Sequence, residues 1–326
     1  MGAAMIEAIH FKNYKALRDT TLPLGRLTLL VGPNGSGKST ALEALTASPN
    51  TFHRTVGVTE SKISVEFVWE DTPEGTPHSL KARDRGTSAW NHTVGDYSRK
   101  GLPRELEAAR VYSFDAGALA RPVTLLPKMV LAGDGTAFAG VVDRLRDDHP
   151  ERFEALSAEF ARWLPEFDRV LFDTPAEGKR AIKLRTRVGG HAIPAGDVSQ
   201  GTLLALAILT LAYLPDPPPI VGLEEPGRGI HPRLLRDVRD AMYRLAYPES
   251  VGEDRPPVQV IATTHSPYLL DLFREHPQEI VIADKVESNV TFTRLTDLPN
   301  YKEILADAAL GEVWYSGVLG GVPGDR

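Results

Sequence analysis

The residues best suited to chemistry begin at Gly32. Gly32-Pro33-Asn34-Gly35-Ser36-Gly37-Lys38-Ser39, followed by Thr40, fits the pattern G-x-x-x-x-G-K-[ST]. Glycines at these positions let the backbone curl around a phosphate so that its N–H groups point inward, and a helix N-terminus adds favourable partial charge. In such a loop Lys38 reaches the β- and γ-phosphates and the Ser39 hydroxyl ligates Mg²⁺, so the spacing points to nucleotide binding with magnesium. A second group follows at Ile220-Val221-Gly222-Leu223-Glu224-Glu225-Pro226, where an apolar run ends in adjacent carboxylates. Alone, such a pair reads more often as solvated surface charge. Behind a phosphate loop, Glu224 is expected to serve the metal and Glu225 to polarise an attacking water.

Two further segments complete the set. Ser199-Gln200-Gly201-Thr202 precedes the apolar run that starts at Leu203. Ser199 fits a helix N-cap, and Ser199 with Gly201 also fits a second phosphate grip at a helix N-terminus. Thr263-Thr264-His265-Ser266-Pro267 follows the apolar stretch VQVIA, which puts His265 at a strand end, where it can contact a γ-phosphate.

These residues need a scaffold, and the hydrophobic pattern outlines one. Residues 5–11 and 26–31 read as strands, and Lys38 to Ala47 has helical spacing. Residues 61–70 alternate apolar and polar like a half-buried antiparallel strand. More strand is expected within 78–98 and at 109–114. Residues 137–163 look helical with a break at Pro150, and 167–173 and 180–188 read as a strand pair. Strands at 219–223, 258–263 and 279–284 alternate with helices, the mark of a parallel sheet. The expected fold is α/β: a P-loop NTPase core with a mixed sheet, assembled from both ends of the chain. Residues from about 50 to 190 form an inserted antiparallel and helical lobe in this reading. Residues 191–326 supply the second half of the core within one domain spanning 1–326.

Composition narrows the function classes. The 326 residues carry 37 Lys and Arg against 43 Asp and Glu, a net charge of −6, which argues against a mainly electrostatic nucleic-acid coat. There is no cysteine, which excludes disulfides and thiolate metal centres and fits a cytoplasmic location. The Leu203–Leu214 run is too short to span a bilayer and reads as a buried helix. Basic stretches at Lys179–Arg187, Arg99–Arg104 and Arg233–Arg239 read as solvated faces or as DNA contacts.

Taken in order, the four motifs resemble those of ABC-type ATPases of the RecF/SMC/OLD-like branch. HFKNYKAL resembles that branch's opening strand, DVSQGTLLALAIL its signature, LEEPGRGIHP its Walker B region and TTHSPYLLD its switch-histidine segment. LAGDGTAFAGVVDRL, WLPEFDRV and LGEVWYSGVLGG are similar to stand-alone bacterial AAA family ATPases of the OLD-like kind. The resemblance implies ATP hydrolysis with Mg²⁺. Its phosphate-binding and metal-binding roles fall on Lys38, Ser39 and Glu224, its catalytic acid on Glu225, its signature serine on Ser199 and its switch histidine on His265. Glu224 stands where most relatives have Asp, and no glutamine lies between the phosphate loop and Gln200 to act as a Q-loop. The interval from Ser39 to Ser199 is too short for an SMC coiled coil, and the stretch after His265 too short for a TOPRIM nuclease domain. The resemblance therefore implies an ATPase without its effector. It would work as a homodimer, with a separate partner such as a TOPRIM-like nuclease, in anti-phage defence or DNA repair and with no membrane role. An ATP-gated DNA clamp of the RecF kind is the alternative, and a transporter ATPase is disfavoured by the motif spellings.

Overall fold

The computed structural model describes residues 5–47, 62–70, 78–83, 103–287, 289–307, 309–317 and 319. The chain divides into two compact units. The first comprises Met1–Val111, Pro218–Glu224 and Gly252–Arg326, and the second Tyr112–Pro217 and Glu225–Val251.

The first unit is built on a six-stranded mixed sheet. Leu27–Val31 is buried along its whole length. It runs parallel to Gln259–Thr264 on one side and to Ile280–Val286 on the other. Ile220–Leu223 in turn lies parallel to Gln259–Thr264. Strands enclosed on both faces read as continuous apolar runs, as these do. Asn289–Arg294 adds an antiparallel edge, and Arg110–Tyr112 forms the opposite edge.

Because four of these strands are parallel, their carboxyl ends lie on one side of the sheet. Gly32 follows Val31, Glu224 follows Leu223 and His265 follows Thr264. Ligands of open α/β sheets bind beyond the strands' carboxyl ends.

A second, antiparallel sheet has the order Leu17–Pro23, Ile6–Tyr14, Lys62–Trp69, His78–Arg83. Ile63, Val65, Phe67 and Trp69 alternate inward, and join Ile9, Phe11, Leu42 and Leu45 in one apolar core. The strands at 62–69 and 78–83, expected in the inserted lobe, hydrogen-bond into this sheet of the first unit. Their apolar face needs Ile6–Tyr14 as cover. The rest of the strand expected within 78–98 lies outside the described residues. Buried Gln259 ties strand to strand: its Nε2 donates to the Ile6 carbonyl at 2.7 Å and to the Gly25 carbonyl at 3.0 Å, while its Oε1 accepts from the Ile6 N–H at 3.0 Å.

The helix after the phosphate loop is shorter than its spacing suggests. Lys38–Glu43 is α-helical, and Ala44–Thr46 tightens into a 3₁₀ turn. Ala47 then leaves the helical region, with ψ of 135°.

In the second unit, helices Phe138–Asp148 and Pro150–Trp163 break at His149, with Pro150 at the first helical position, where its missing N–H costs nothing. Phe167–Asp173, Lys179–Thr186 and Ala192–Pro194 form antiparallel pairs. Gln200–Tyr213 is apolar nearly all round and buried from Ala205 to Tyr213. The amphipathic helix Leu235–Ala246 buries Val238, Met242 and Leu245. Among the described residues no helix is long and apolar enough to cross a membrane.

Candidate functional site

The phosphate loop takes its shape from close packing. Gly37 caps the Lys38–Glu43 helix with a left-handed φ of 84°. A Cβ there would stand 2.7 Å from Leu17 Cδ2, so the loop rests directly on the second strand. Lys38 is only 4% exposed. Its Nζ donates to the Gly32 and Pro33 carbonyls at 2.8 Å each and to Ser36 Oγ at 3.4 Å. The ammonium thus sits inside the loop's curve, where an anion would meet it. Ser36 and Gly37 are buried, Pro33 and Thr40 half-buried, and Asn34, Gly35 and Ser39 exposed.

Ser39 and Glu224 are 185 positions apart in sequence, yet the Ser39 hydroxyl donates to a Glu224 carboxylate oxygen. His265 reaches the same loop. It is half-buried and hydrogen-bonds with the Gly32 backbone. Burial, and then the charge of Lys38, push its pKa below the ordinary 6.5, only partly opposed by that hydrogen bond. Ser266 caps the next short helix, its Oγ accepting from the Leu269 N–H. The first unit therefore brings Lys38, Ser39, Glu224 and His265 together around one loop.

The donor set fits a hard cation. A hydroxyl and a carboxylate in contact offer two oxygen ligands, and no group of three or more His, Cys, Asp or Glu among the described residues could hold a metal by itself. Magnesium is typically held this way, by one or two protein oxygens together with substrate phosphates.

Glu225, Ser199 and Gly201 fall in the second unit. Glu225 has a left-handed φ of 50°, rare for a residue with a side chain, and its carbonyl accepts from the Arg228 N–H at 2.8 Å. Such strain recurs at functional turns. Ser199 caps the Gln200–Tyr213 helix, its Oγ accepting from the Thr202 N–H at 3.2 Å. The capping reading of Ser199 is thus realised in the geometry, and exposure leaves the residue open to a further contact. A Cβ on Gly201 would stand 2.5 Å from the Gly229 carbonyl, so the helix start and the turn after Glu225 are packed backbone to backbone.

In the basic stretch 179–187, three of the five cations are paired with carboxylates. Arg185 grips Asp168 with two hydrogen bonds of 2.8 and 2.9 Å, holding that carboxyl below its usual range. Lys183 pairs with Asp173 at 2.8 Å and Arg180 with Asp143 at 3.0 Å. In the 233–239 stretch Arg239 pairs with Asp240 at 2.6 Å. Most of Arg99–Arg104 lies outside the described residues. Sequence reasoning missed Gln259 as a tether; a polar residue opening an otherwise apolar strand was its one signal.

These features define an ATPase head of the ABC-type P-loop fold. In fold the chain is similar to an SMC head solved bound to the C-winged helix domain of ScpA, with TM-score 0.57, 14% identity, and coverage of 88% of this chain and 97% of that one. It also matches the SMC head domain from Thermotoga maritima, with TM-score 0.45, 18% identity, and coverage of 89% and 98%. The profile of the family described as "AAA domain, putative AbiEii toxin, Type IV TA system" matches residues 70–271, and one described as "AAA ATPase domain" matches 5–68. The chain belongs to this AAA-domain family. A curated relative, the OLD nuclease of Thermus scotoductus, is 24% identical over 339 residues. The match covers 86% of this chain but 62% of the relative's length.

Proposed function

We propose that the protein hydrolyses ATP and uses the cycle as a switch on a separate effector. The observation that carries this reading is the convergence of Lys38, Ser39, Glu224 and His265 on one loop. Lys38 and the loop amides bind the triphosphate, with Gly32 to Thr40 as the cradle. Ser39 and Glu224 hold Mg²⁺, which neutralises phosphate charge when bound. Glu225 orients the attacking water, and His265, kept neutral, contacts the γ-phosphate. Ser199 and Gly201 present a second helix N-terminus to the nucleotide of another copy, so that the working unit is a homodimer.

The likeness to the OLD nuclease supports a nuclease-type effector, TOPRIM-like and carried on a separate chain, with a role in defence or DNA repair. An ATP-gated DNA clamp is the second reading, and the pairing of Arg180, Lys183 and Arg185 with carboxylates speaks against it.

The test compares wild type with Lys38→Ala for phosphate release from Mg-ATP and for ATP binding by calorimetry. Losing a charge-assisted contact to phosphate should weaken binding by about 10- to 100-fold and abolish turnover. A folded variant with unchanged affinity and turnover overturns the assignment.

A further inference from the structure

The helix that follows His265 spans only five residues, Pro267–Asp271. Its start is pinned by Ser266, whose N–H donates to Thr264 Oγ1 at 2.9 Å and whose Oγ accepts from the Leu269 N–H at 3.3 Å. A helix this short does not hold itself and takes its place from what packs on it. The segment LGEVWY does so: it forms the helix Leu310–Tyr315, buries Leu310, Val313 and Trp314, and packs on Pro267–Asp271 within the first unit. The Gly311 N–H donates to Asp271 Oδ1 at 2.7 Å, which ties the start of one helix to the end of the other. Gly311 also lies against Pro267. A Cβ on Gly311 would stand 2.7 Å from the Pro267 carbonyl oxygen, 2.7 Å from its Cβ and 3.0 Å from its carbonyl carbon. Further on, the Arg274 guanidinium donates to the Leu305 carbonyl. The atoms that Gly311 meets are backbone and ring, two residues from His265, and cannot swing aside like the end of a long side chain.

We propose that Gly311 and Asp271 are positioning residues for His265: through them the helix Leu310–Tyr315 sets where the ring stands against the Gly32 backbone, and so controls hydrolysis without touching nucleotide. His265 sits at the junction of a buried strand and the short helix. Sheet partners fix the strand side of that junction, and Leu310–Tyr315 fixes the helix side. A displacement of about 1 Å at Pro267 therefore reaches the ring, and misplacement of that size in a catalytic group costs on the order of 100-fold in rate. The assignment rests on the reading of His265 as the γ-phosphate contact. It adds two residues whose contacts lie wholly outside the phosphate loop.

The test compares Gly311→Ala, Asp271→Ala, Asp271→Asn, His265→Ala and the Gly311→Ala/His265→Ala double variant of the full chain. Turnover is followed by phosphate release, ATP binding by calorimetry and folding by urea titration. The His265 ring, assigned by the signal lost in His265→Ala, is titrated by NMR without nucleotide. Gly311→Ala and Asp271→Ala should bind ATP like wild type and turn over about 10- to 100-fold more slowly. Asp271→Asn keeps an oxygen that accepts the Gly311 N–H and should stay near wild type. Once His265 is gone there is no ring to misplace, so the double variant should be no slower than His265→Ala alone, whereas a merely structural role would slow it further. In Gly311→Ala and Asp271→Ala the ring should titrate closer to the ordinary 6.5, as it leaves its burial and the charge of Lys38. If Gly311→Ala does not fold, Asp271→Ala, which adds no bulk, decides; if His265→Ala leaves too little turnover to compare, the titration decides. Folded variants with wild-type turnover, an unmoved His265 titration, or a double variant slowed by the full Gly311→Ala factor overturn the assignment and leave the proposed role of His265 standing. Wild-type turnover by His265→Ala overturns that role, and the assignment with it.

Discussion

Alanine at Gly37 should damage the phosphate loop more than alanine at Gly35, although the two lie two positions apart. Both have left-handed backbones, with φ of +84° and +78°. Each substitution therefore carries about 1–2 kcal/mol of backbone strain. The surroundings differ. Nothing lies within 4 Å of a Cβ added at Gly35, whereas at Gly37 it would stand 2.7 Å from Leu17 Cδ2 and 3.4 Å from Val290 Cγ1. Leu17 is 0% and Val290 3% exposed, so neither can swing into water. Overpacking of this kind costs a further ~1–3 kcal/mol. Gly35→Ala should thus cost about 1–2 kcal/mol, and Gly37→Ala about 2–5 kcal/mol. Urea unfolding of the full chain followed by tryptophan fluorescence gives both values, with ATP affinity measured alongside. Gly37 also accepts the Ala41 N–H at 2.8 Å, so displacing it moves the start of the helix that carries Lys38, and affinity should fall with stability. In a Leu17→Ala background the packing penalty should vanish and only the strain remain. Equal costs at the two glycines, within about 0.5 kcal/mol, or no relief from Leu17→Ala, would refute the packing argument.

Further outcomes follow from the same geometry. Glu225→Gln should bind Mg-ATP and stall, accumulating the closed dimer, whereas Glu224→Gln should raise the magnesium concentration needed for binding; a magnesium titration of both variants checks this, and normal turnover by Glu225→Gln rules out the assigned role. His265 gives a pH signature. The unfolded chain protonates this side chain near 6.5 while the folded chain does so only at lower pH. The unfolded state therefore binds more protons in that window, and stability falls as pH drops from 6.5 through the folded value. His265→Asn should remove that part of the slope in urea unfolding at pH 7.5 and 5.5, and an unchanged slope counts against it. DNA binding, if measured by fluorescence anisotropy against salt, should be weak with a shallow slope, because three of the five cations of 179–187, Arg180, Lys183 and Arg185, are already paired with carboxylates; a steep slope lost on Arg185→Ala would revive the clamp reading.

Much of this site was legible because its parts sit where a one-dimensional pattern meets a simple three-dimensional rule. Apolar runs at 26–31, 219–223 and 258–263 read as buried strands, and parallel pairing then puts the residues just beyond each run on one side of the sheet. That is why Ser39 and Glu224 touch across 185 positions. The rule fails where position depends on which face another element covers. The alternation of 62–69 was plain, but nothing in it named Ile6–Tyr14 as the strand it would join. Leu17–Pro23 and Asn289–Arg294 passed unseen, since Thr and Arg dominate their outward positions and their apolar residues are few. The limit is clearest at the cavity beside Ser199 in the second unit. His231 and Arg233 announce locally only a Pro-led turn before a helix, and Trp163 and Glu166 only the end of another. Their meeting over Ser199 follows from how the buried Gln200–Tyr213 helix is packed, and an apolar helix with no polar face carries no periodic mark of which neighbour lies on which side. Residues that act through their own backbone loop can be read from spacing, whereas residues assembled by packing around a uniformly apolar helix need the structure.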